Sequence, residues 1–367
     1  MYRPAPISCF SLVLLSAATL CAAAPHKAKR PAPPQSKGQK QIAGGDGVFG
    51  TVYSLKDTFN FEVVSARYTV EPLIAHDTIM AGAGEKLVVL DVAIKNAGPS
   101  ENSFNSDAYF TLVDAGGELY TTRNTAMVLA SRVENEQSWT LRPGQGLGQP
   151  ARHDPLQVGV VIPAKARIVK VIVNRGRLNS DEKALRYFAA GATEAEAGKA
   201  GDPKNVIAPL PENVRDPSDP SGATVLGSGK GAAGVFLPSG FFAFRLDSLS
   251  YTAGKTPQRD TPEDGKKYAV ATITAKSLIP DPQTMNSFTN GDQCSLADSD
   301  GETDKEVAFM KVKSRETPEH DFKQGEEYSF RVVFPLAVGA TAKTVTLGAW
   351  RGRTWTFPVT AALEGPG

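Results

Sequence analysis

The stretch GEKLVVLDVAIKN at residues 84–96 returns in weaker form as GKKYAVATITAK at 265–276. In the first copy Val88, Leu90, Val92 and Ile94 fall on one face of an extended chain, and Val89, Asp91, Ala93 and Lys95 on the other. That is the period of two that a strand with a buried face requires. The matching inward set in the second copy is Ala269, Ala271, Ile273 and Ala275. Flanking segments keep step with this pair. Phe59, Phe61 and Val63 alternate with Asn60 and Glu62, as Phe242, Phe244 and Leu246 do with Ala243 and Arg245, and Ser65 and Tyr68 return 183 residues on as Ser248 and Tyr251. Phe110, Leu112, Asp114 and Gly117-Glu118 correspond to Cys294, Leu296, Asp298 and Gly301-Glu302 at a spacing of 184. Leu156, Val158, Val160, Ile162 and Pro163 align with Tyr328, Phe330, Val332, Phe334 and Pro335 at 172, and Arg175-Gly176-Arg177 with Arg351-Gly352-Arg353 at 176. A chain with this pattern is an internal duplication of one β unit of about 120 residues, and two units are too few for a shared solenoid core, so each is expected to fold alone.

A length of 367 residues suits two such domains plus accessories. Residues 1–24 read as a signal peptide: Arg3, an apolar run from Cys9 to Leu20, then Ala22-Ala23-Ala24 as a small-residue cleavage site. The run is short for a bilayer span, so no membrane span is expected after cleavage; a retained anchor is the alternative. Residues 25–47, basic and almost free of large apolar side chains, read as a disordered tether. The first sandwich is expected at 48–178 and the second at 235–362. Residues 179–234, rich in Pro, Gly, Asp and Ser, read as an extended linker, with 180–187 either a short helix or a last strand of the first domain. Once the signal is removed only Cys294 remains, so no intramolecular disulfide can form and the cores must carry the stability. A formal charge of +1 supplies no basic face for nucleic acid. The absence of an N-x-S/T sequon fits a bacterial envelope or secreted setting.

KLVVLDVAIKN at 86–96, the following loop, and FTLVDAGGELY at 110–120, behind a signal and a tether, resemble the telokin-like immunoglobulin-like domains of secreted and envelope proteins of bacteria. The resemblance is good over 48–177 and fainter over 235–360, where Ser277 replaces Asn96. It implies an all-β fold, two tandem immunoglobulin-like antiparallel sandwiches joined by a Pro/Gly-rich linker, without an inter-sheet disulfide. No catalytic residue comes with the family, which implies only binding or presentation outside the cytoplasm.

Motifs that could carry chemistry are few. Asp298-Ser-Asp300-Gly-Glu302-Thr-Asp304 gathers carboxylates in a turn that could recruit a hard cation such as Ca²⁺; the other reading is a solvated hairpin turn like that at Asp114. Trp350 and Trp355 flank Arg351-Gly352-Arg353, either a ligand patch for sugars or peptides or a core Trp beside water-facing arginines. Gly229-Lys-Gly231-Ala-Ala-Gly234 matches G-x-G-x-x-G but is followed by a strand rather than a helix, so it reads as flexible linker. Ser180-Asp-Glu-Lys183 matches S-x-x-K without the companion K-T-G. His26, His76, His153 and His320 are too scattered for a zinc site, and Cys294 reads as a small buried hydrophobe, with a reactive or dimer-forming thiol as the alternative.

No cofactor and no enzymatic activity are expected. The reading is an exported binding or structural protein of the cell envelope or extracellular space with an unidentified protein or glycan partner. Two other readings are a carbohydrate-binding or accessory subunit of an extracellular hydrolase, and a Ca²⁺-dependent adhesion module.

Overall fold

The computed structural model describes residues 45–363 except 56–58, 75–77, 106–109, 122–126, 130–137, 149–155, 175–183, 228–229, 254–260, 281–282, 285–293, 307, 350–351 and 361–362. The expected signal peptide, most of the tether and the S-x-x-K segment therefore lie outside the described residues. Strands of the N-terminal half are β1 (Tyr53–Leu55), β2 (Phe59–Thr69), β3 (Glu85–Asn96), β4 (Asn102–Asn105), β5 (Phe110–Asp114), β6 (Leu119–Thr121), β7 (Met127–Leu129), β8 (Ser138–Leu141), β9 (Gly146–Leu147), β10 (Leu156–Pro163), β11 (Ile168–Val173) and β12 (Leu185–Phe188). A connector follows, with α1 (Glu194–Ala197) and β13 (Ile207–Ala208). The C-terminal half contains β14 (Leu237–Ser239), β15 (Phe242–Thr252), β16 (Lys266–Ser277), β17 (Gln283–Thr284), β18 (Ser295–Asp298), β19 (Thr303–Lys305), β20 (Ala308–Lys311), β21 (Asp321–Phe322), β22 (Glu327–Ala337), β23 (Ala342–Leu347) and β24 (Trp355–Pro358).

Each half is built on two facing sheets, with a further two-stranded sheet, β4-β8 in the N-terminal half and β17-β21 in the C-terminal half. One N-terminal sheet runs β1-β2-β3-β10-β7 and the other β12-β11-β5-β6, while the C-terminal sheets run β14-β15-β16-β22-β20 and β19-β18-β23-β24. The fold is all-β, with neighbouring strands antiparallel except β13, which lies parallel to β2. Pairing recurs residue for residue. Phe61 faces Ile94 as Phe244 faces Ala275, and the ladder skips one residue between Val63 and Ser65 as it does between Leu246 and Ser248. Such a bulge bends the strand and fixes register, so its recurrence pins the two hairpins to one geometry. One expected alignment is corrected. Leu90 faces Val158 and Ala271 faces Val332, which sets β10 against β22 at a spacing of 174 rather than 172, and Ala337 rather than Pro335 occupies the place of Pro163. A slip of two residues keeps every side chain on the same face, which is why the inward set was unaffected.

Val88, Leu90, Val92 and Ile94 join the core, as do Ala269, Ala271, Ile273 and Ala275. Across the sheets, the Phe61 and Phe110 rings meet at 5.7 Å. In each half a tyrosine hydroxyl closes the gap: Tyr68 accepts from the Ile168 N–H at 2.9 Å and Tyr251 from the Ala342 N–H at 3.1 Å. The outer face of β3 is covered as far as Asp91, while Lys95 is exposed. Leu87 and Val89 pack with Leu73 and Ala81, and Asp91 binds Ser65, Arg67 and Gln157.

Both halves begin with the same device. Gly47 donates to Arg186 O at 2.8 Å and Gly231 to Thr356 O at 2.8 Å, covering the edges of β12 and β24. Gly50 donates to Val63 O and Gly234 to Leu246 O, each glycine at φ 75°, a conformation that disfavours a side chain. A Cβ at Gly47 would overlap the Tyr187 ring, and one at Gly231 would come within 2.9 Å of Phe357. The G-x-G-x-x-G at 229–234 thus has a twin at 45–50, and in both places the glycines let backbone lie against an aromatic ring. Residues 45–47, expected at the end of the tether, are part of the fold.

Candidate binding site at the connector

Within 179–234, expected to be an extended linker, residues 190–227 are folded and 185–188 form β12. Local chemistry explains the change. Thr193 caps α1 in a capping box with Glu196, and Gly198 ends it in the left-handed region. Hydrogen bonds from the Thr193 N–H, then from Arg167, hold the Glu196 carboxyl down to about 2. Buried Asn205 accepts from the Phe49 N–H and donates to Gly47 O and Phe188 O, tying the connector to both the opening segment and β12. Asp216-Pro-Ser218 and Asp219-Pro-Ser221 are successive Asx turns, in which each carboxylate accepts from the N–H and hydroxyl of the serine two residues on. Burial pushes the Asp219 carboxyl up, but hydrogen bonds from Ser221 and Thr224 outweigh it and hold the group well below the usual carboxylate range. Leu210, Val214, Ala223 and Val225 then join the main buried cluster, which runs through residues of both halves.

Lys86, at an inward position of β3, holds the connector down from below. Its side chain is fully buried. The ammonium donates to Ala166 O at 2.6 Å, to Ala164 O at 3.1 Å and to Ala223 O of the connector, and lies 4.5 Å above the Tyr68 ring. Burial pushes it down to about 8, with the Asp219 carboxylate pulling the other way. All three ammonium protons have acceptors, so Lys86 is a structural clamp and has no proton free for a ligand.

Two clefts open along the connector, and Asp219 borders both. One, of about 380 Å³, is walled by Asp114, Lys165, Arg167, Glu196 and Thr224. The other, of about 640 Å³, is walled by Arg215, Pro217, Pro220, Leu226 and Lys230. The first is occupied by internal pairing, because Arg167 binds Glu196 and Asp114 accepts from Gly116, Glu118 and Tyr120. The second keeps the Lys230 ammonium without a hydrogen-bonded or ion-paired partner among the described residues, beside the exposed Glu212–Arg215 pair. Prolines, a leucine and the Lys230 ammonium, which feels the Asp216 carboxylate without bonding to it, suit an extended ligand with an anionic group.

The sequence-predicted sites fall elsewhere. Asp298 is buried and its carboxylate accepts from the N–H groups of Asp300 and Glu302, as Asp114 does from Gly116 and Glu118. Asp300 and Glu302 project into solvent, while burial, with Asp298 and Glu302 nearby, raises the Asp304 carboxyl. Among the described residues no group of three or more His, Cys, Asp or Glu side chains is placed to hold a metal ion. Of the expected aromatic and cationic patch, the two described members, Arg353 and Trp355, turn inward. Trp355 is fully buried with its Nε1–H donating to Pro238 O at 2.7 Å, and Arg353 is 4% exposed. Arg353 donates to Glu85 O at 2.8 Å and so bridges the two halves, burial alone lowering its pKa. Trp355 and Phe357 alternate with Thr356 along β24, which places both rings inward. Trp350 and Arg351 lie outside the described residues. Buried Cys294, its thiol pushed up to about 12 by burial, sits among Phe244, Ile273, Phe330 and Leu347. His320 stacks on Tyr328 at 4.2 Å, and the other histidines lie outside the described residues.

Lys86 and the connector were missed from sequence, yet a signal existed for each. A lysine at inward parity opens both copies, Lys86 before Val88 and Lys267 before Ala269, and the doubled Asp-Pro-Ser marks consecutive turns rather than open chain.

No family model matches the chain, and no curated protein does. Among solved structures it is similar to an uncharacterised β-sandwich protein from Clostridium difficile, at 10% identity over 37% of this chain and 97% of that one, with a TM-score of 0.28. It is similar to a secreted protein from Mycobacterium tuberculosis, at 15% identity over 36% and 98%, TM-score 0.28. A candidate lipoprotein from Bacillus subtilis matches at 12% identity over 35% of this chain and 40% of that one, TM-score 0.26. The all-β architecture stands on the strand pairing itself.

Proposed function

We propose that this is an exported, non-catalytic binding protein of the cell envelope or extracellular space, built as two tandem immunoglobulin-like sandwiches of the telokin-like type. Supporting the duplication is the recurrence of bulge, tyrosine bond and glycine edge cover in both halves. Export rests on the apolar run and alanine-rich site at residues 9–24, and no helix among the described residues is long and apolar enough to cross a membrane. The observation that carries the binding role is the 640 Å³ cleft beside Lys230, held open by a connector pinned at Asn205 and Lys86. The partner is an extended chain, peptide or glycan, carrying an anionic group. The readings that needed a Trp355 platform or a cation at Asp298 lose their support, since both side chains are committed inside the fold.

The test is capture from envelope and culture fractions on the immobilised mature protein, compared with Lys230→Glu combined with Arg215→Glu. A partner retained by the parent and lost from the variant is the expected result. Equal capture by both, or a hydrolytic activity of the purified protein, would overturn the reading.

A further inference from the structure

The connector covers one turn of the N-terminal half, and no described segment covers the matching turn of the C-terminal half. On the covered side, Ala164 donates to Gly84 O at 2.8 Å and its own carbonyl accepts from Val225 N at 3.1 Å, while Ala223 O closes over the Lys86 ammonium. On the bare side the frame is the same. Val338 donates to Gly265 O at 3.0 Å, and the Lys267 ammonium lies 4.5 Å above the Tyr251 ring, the same separation as Lys86 from Tyr68. Nothing crosses it among the described residues. Val338, in the place of Ala164, is 60% exposed, and among the described residues its carbonyl accepts no hydrogen bond and Lys267 has neither a carboxylate nor a carbonyl partner.

We propose that the turn formed by Lys267, Tyr251 and Val338 is a docking surface for an extended segment of a partner polypeptide, with a small apolar residue next to a carboxylate. The chain itself shows how such a segment binds. The connector supplies an N–H from Val225 to the turn carbonyl, a C=O from Ala223 to the lysine, and the Asp219 carboxylate near the ammonium. At the bare turn the same three contacts satisfy the Val338 carbonyl and the unpaired Lys267, and the apolar residue covers the Val338 side chain. The surface deepens the binding role proposed above and rests on it, but it is distinct from the cleft at Lys230.

The probe is a fluorescein-labelled peptide of residues 208–227 of this chain, which contains the clamped Ala223 to Val225 segment, titrated into the full-length protein by fluorescence anisotropy. Saturable binding is expected, weakened at least tenfold by Lys267→Glu and by Val338→Asp, and unchanged by Leu119→Asp, a second exposed apolar position at 49% exposure. No saturation at millimolar peptide, or equal affinity in both turn variants, would overturn the proposal. So would concentration-dependent self-association abolished by Lys267→Glu, which would assign the surface to a second copy. Failure here leaves the capture test at Lys230 and Arg215 untouched, so the two readings fail separately.

Discussion

Lys86 and Lys267 stand at the same register of β3 and β16, each 4.5 Å above a tyrosine ring, yet one is fully buried and the other partly open to solvent. The strands around them pair alike, so the sheets do not make the difference. The connector does: it lays Ala223 over Lys86, and no described segment does the same for Lys267. One frame thus serves as an internal clamp in one half and as open surface in the other. A second contrast lies at the covered edges, where Tyr187 of β12 corresponds to Phe357 of β24. Both rings are buried, but the Tyr187 hydroxyl has no hydrogen-bond partner among the described residues.

The comparison is broken most sharply at the lysines. Lys86→Met takes the lysine donor from the Ala166 and Ala223 carbonyls, Ala164 O keeping the Val225 N–H, and should cost about 3 kcal/mol or more, whereas Lys267→Met should cost less than about 1 kcal/mol, both read by urea denaturation. A similar loss in both would remove the contrast. The pH dependence adds a sign. Burial sets the Lys86 ammonium at about 8 in the folded chain against 10.5 unfolded, so between those values the unfolded chain binds more protons and stability rises with pH. This increment, up to about 3 kcal/mol, should appear in the parent and vanish in Lys86→Met.

Next in size are the glycines. Gly47→Ala and Gly231→Ala each force a Cβ against an aromatic ring and should each lower stability by about 1–3 kcal/mol, measured by thermal unfolding. If only one of the pair matters, the edge covers are not equivalent. Smallest is the hydroxyl. Tyr187→Phe removes an unpaired buried O–H and should be neutral or stabilising by up to about 1 kcal/mol, while Phe357→Tyr should destabilise by about 1–3 kcal/mol. Calorimetry on both variants checks the opposite signs.

Much of this was legible in the sequence because a strand advertises its buried face at every second residue. Phe61, Leu90 and Val158 announced their sheet, and Tyr251 its kinship to Tyr68. The turn at Asp298 was readable from Asp114. What escaped was set by contacts distant in sequence. Asn205 binds residues 47 and 49, more than 150 positions away, and the burial of Lys86 depends on Ala223. A stretch rich in Pro, Gly and Asp reads as open chain when its turns are counted singly, and as structure only when their carboxylates are seen to accept from their own backbone. Of the two readings of Trp355 the core one holds, as its alternation with Thr356 and Phe357 indicates, but Arg353, placed in water by that reading, is buried by its contact with Glu85 O.

The most direct measurement is lysine acetylation of the folded mature protein, followed by mass spectrometry of the individual sites over time. The clamp and the bare turn predict that Lys267 is modified early and that Lys86 reacts only on the timescale of unfolding. Equal rates at the two positions would mean that the connector does not seal Lys86, and the contrast between the halves would fall with it.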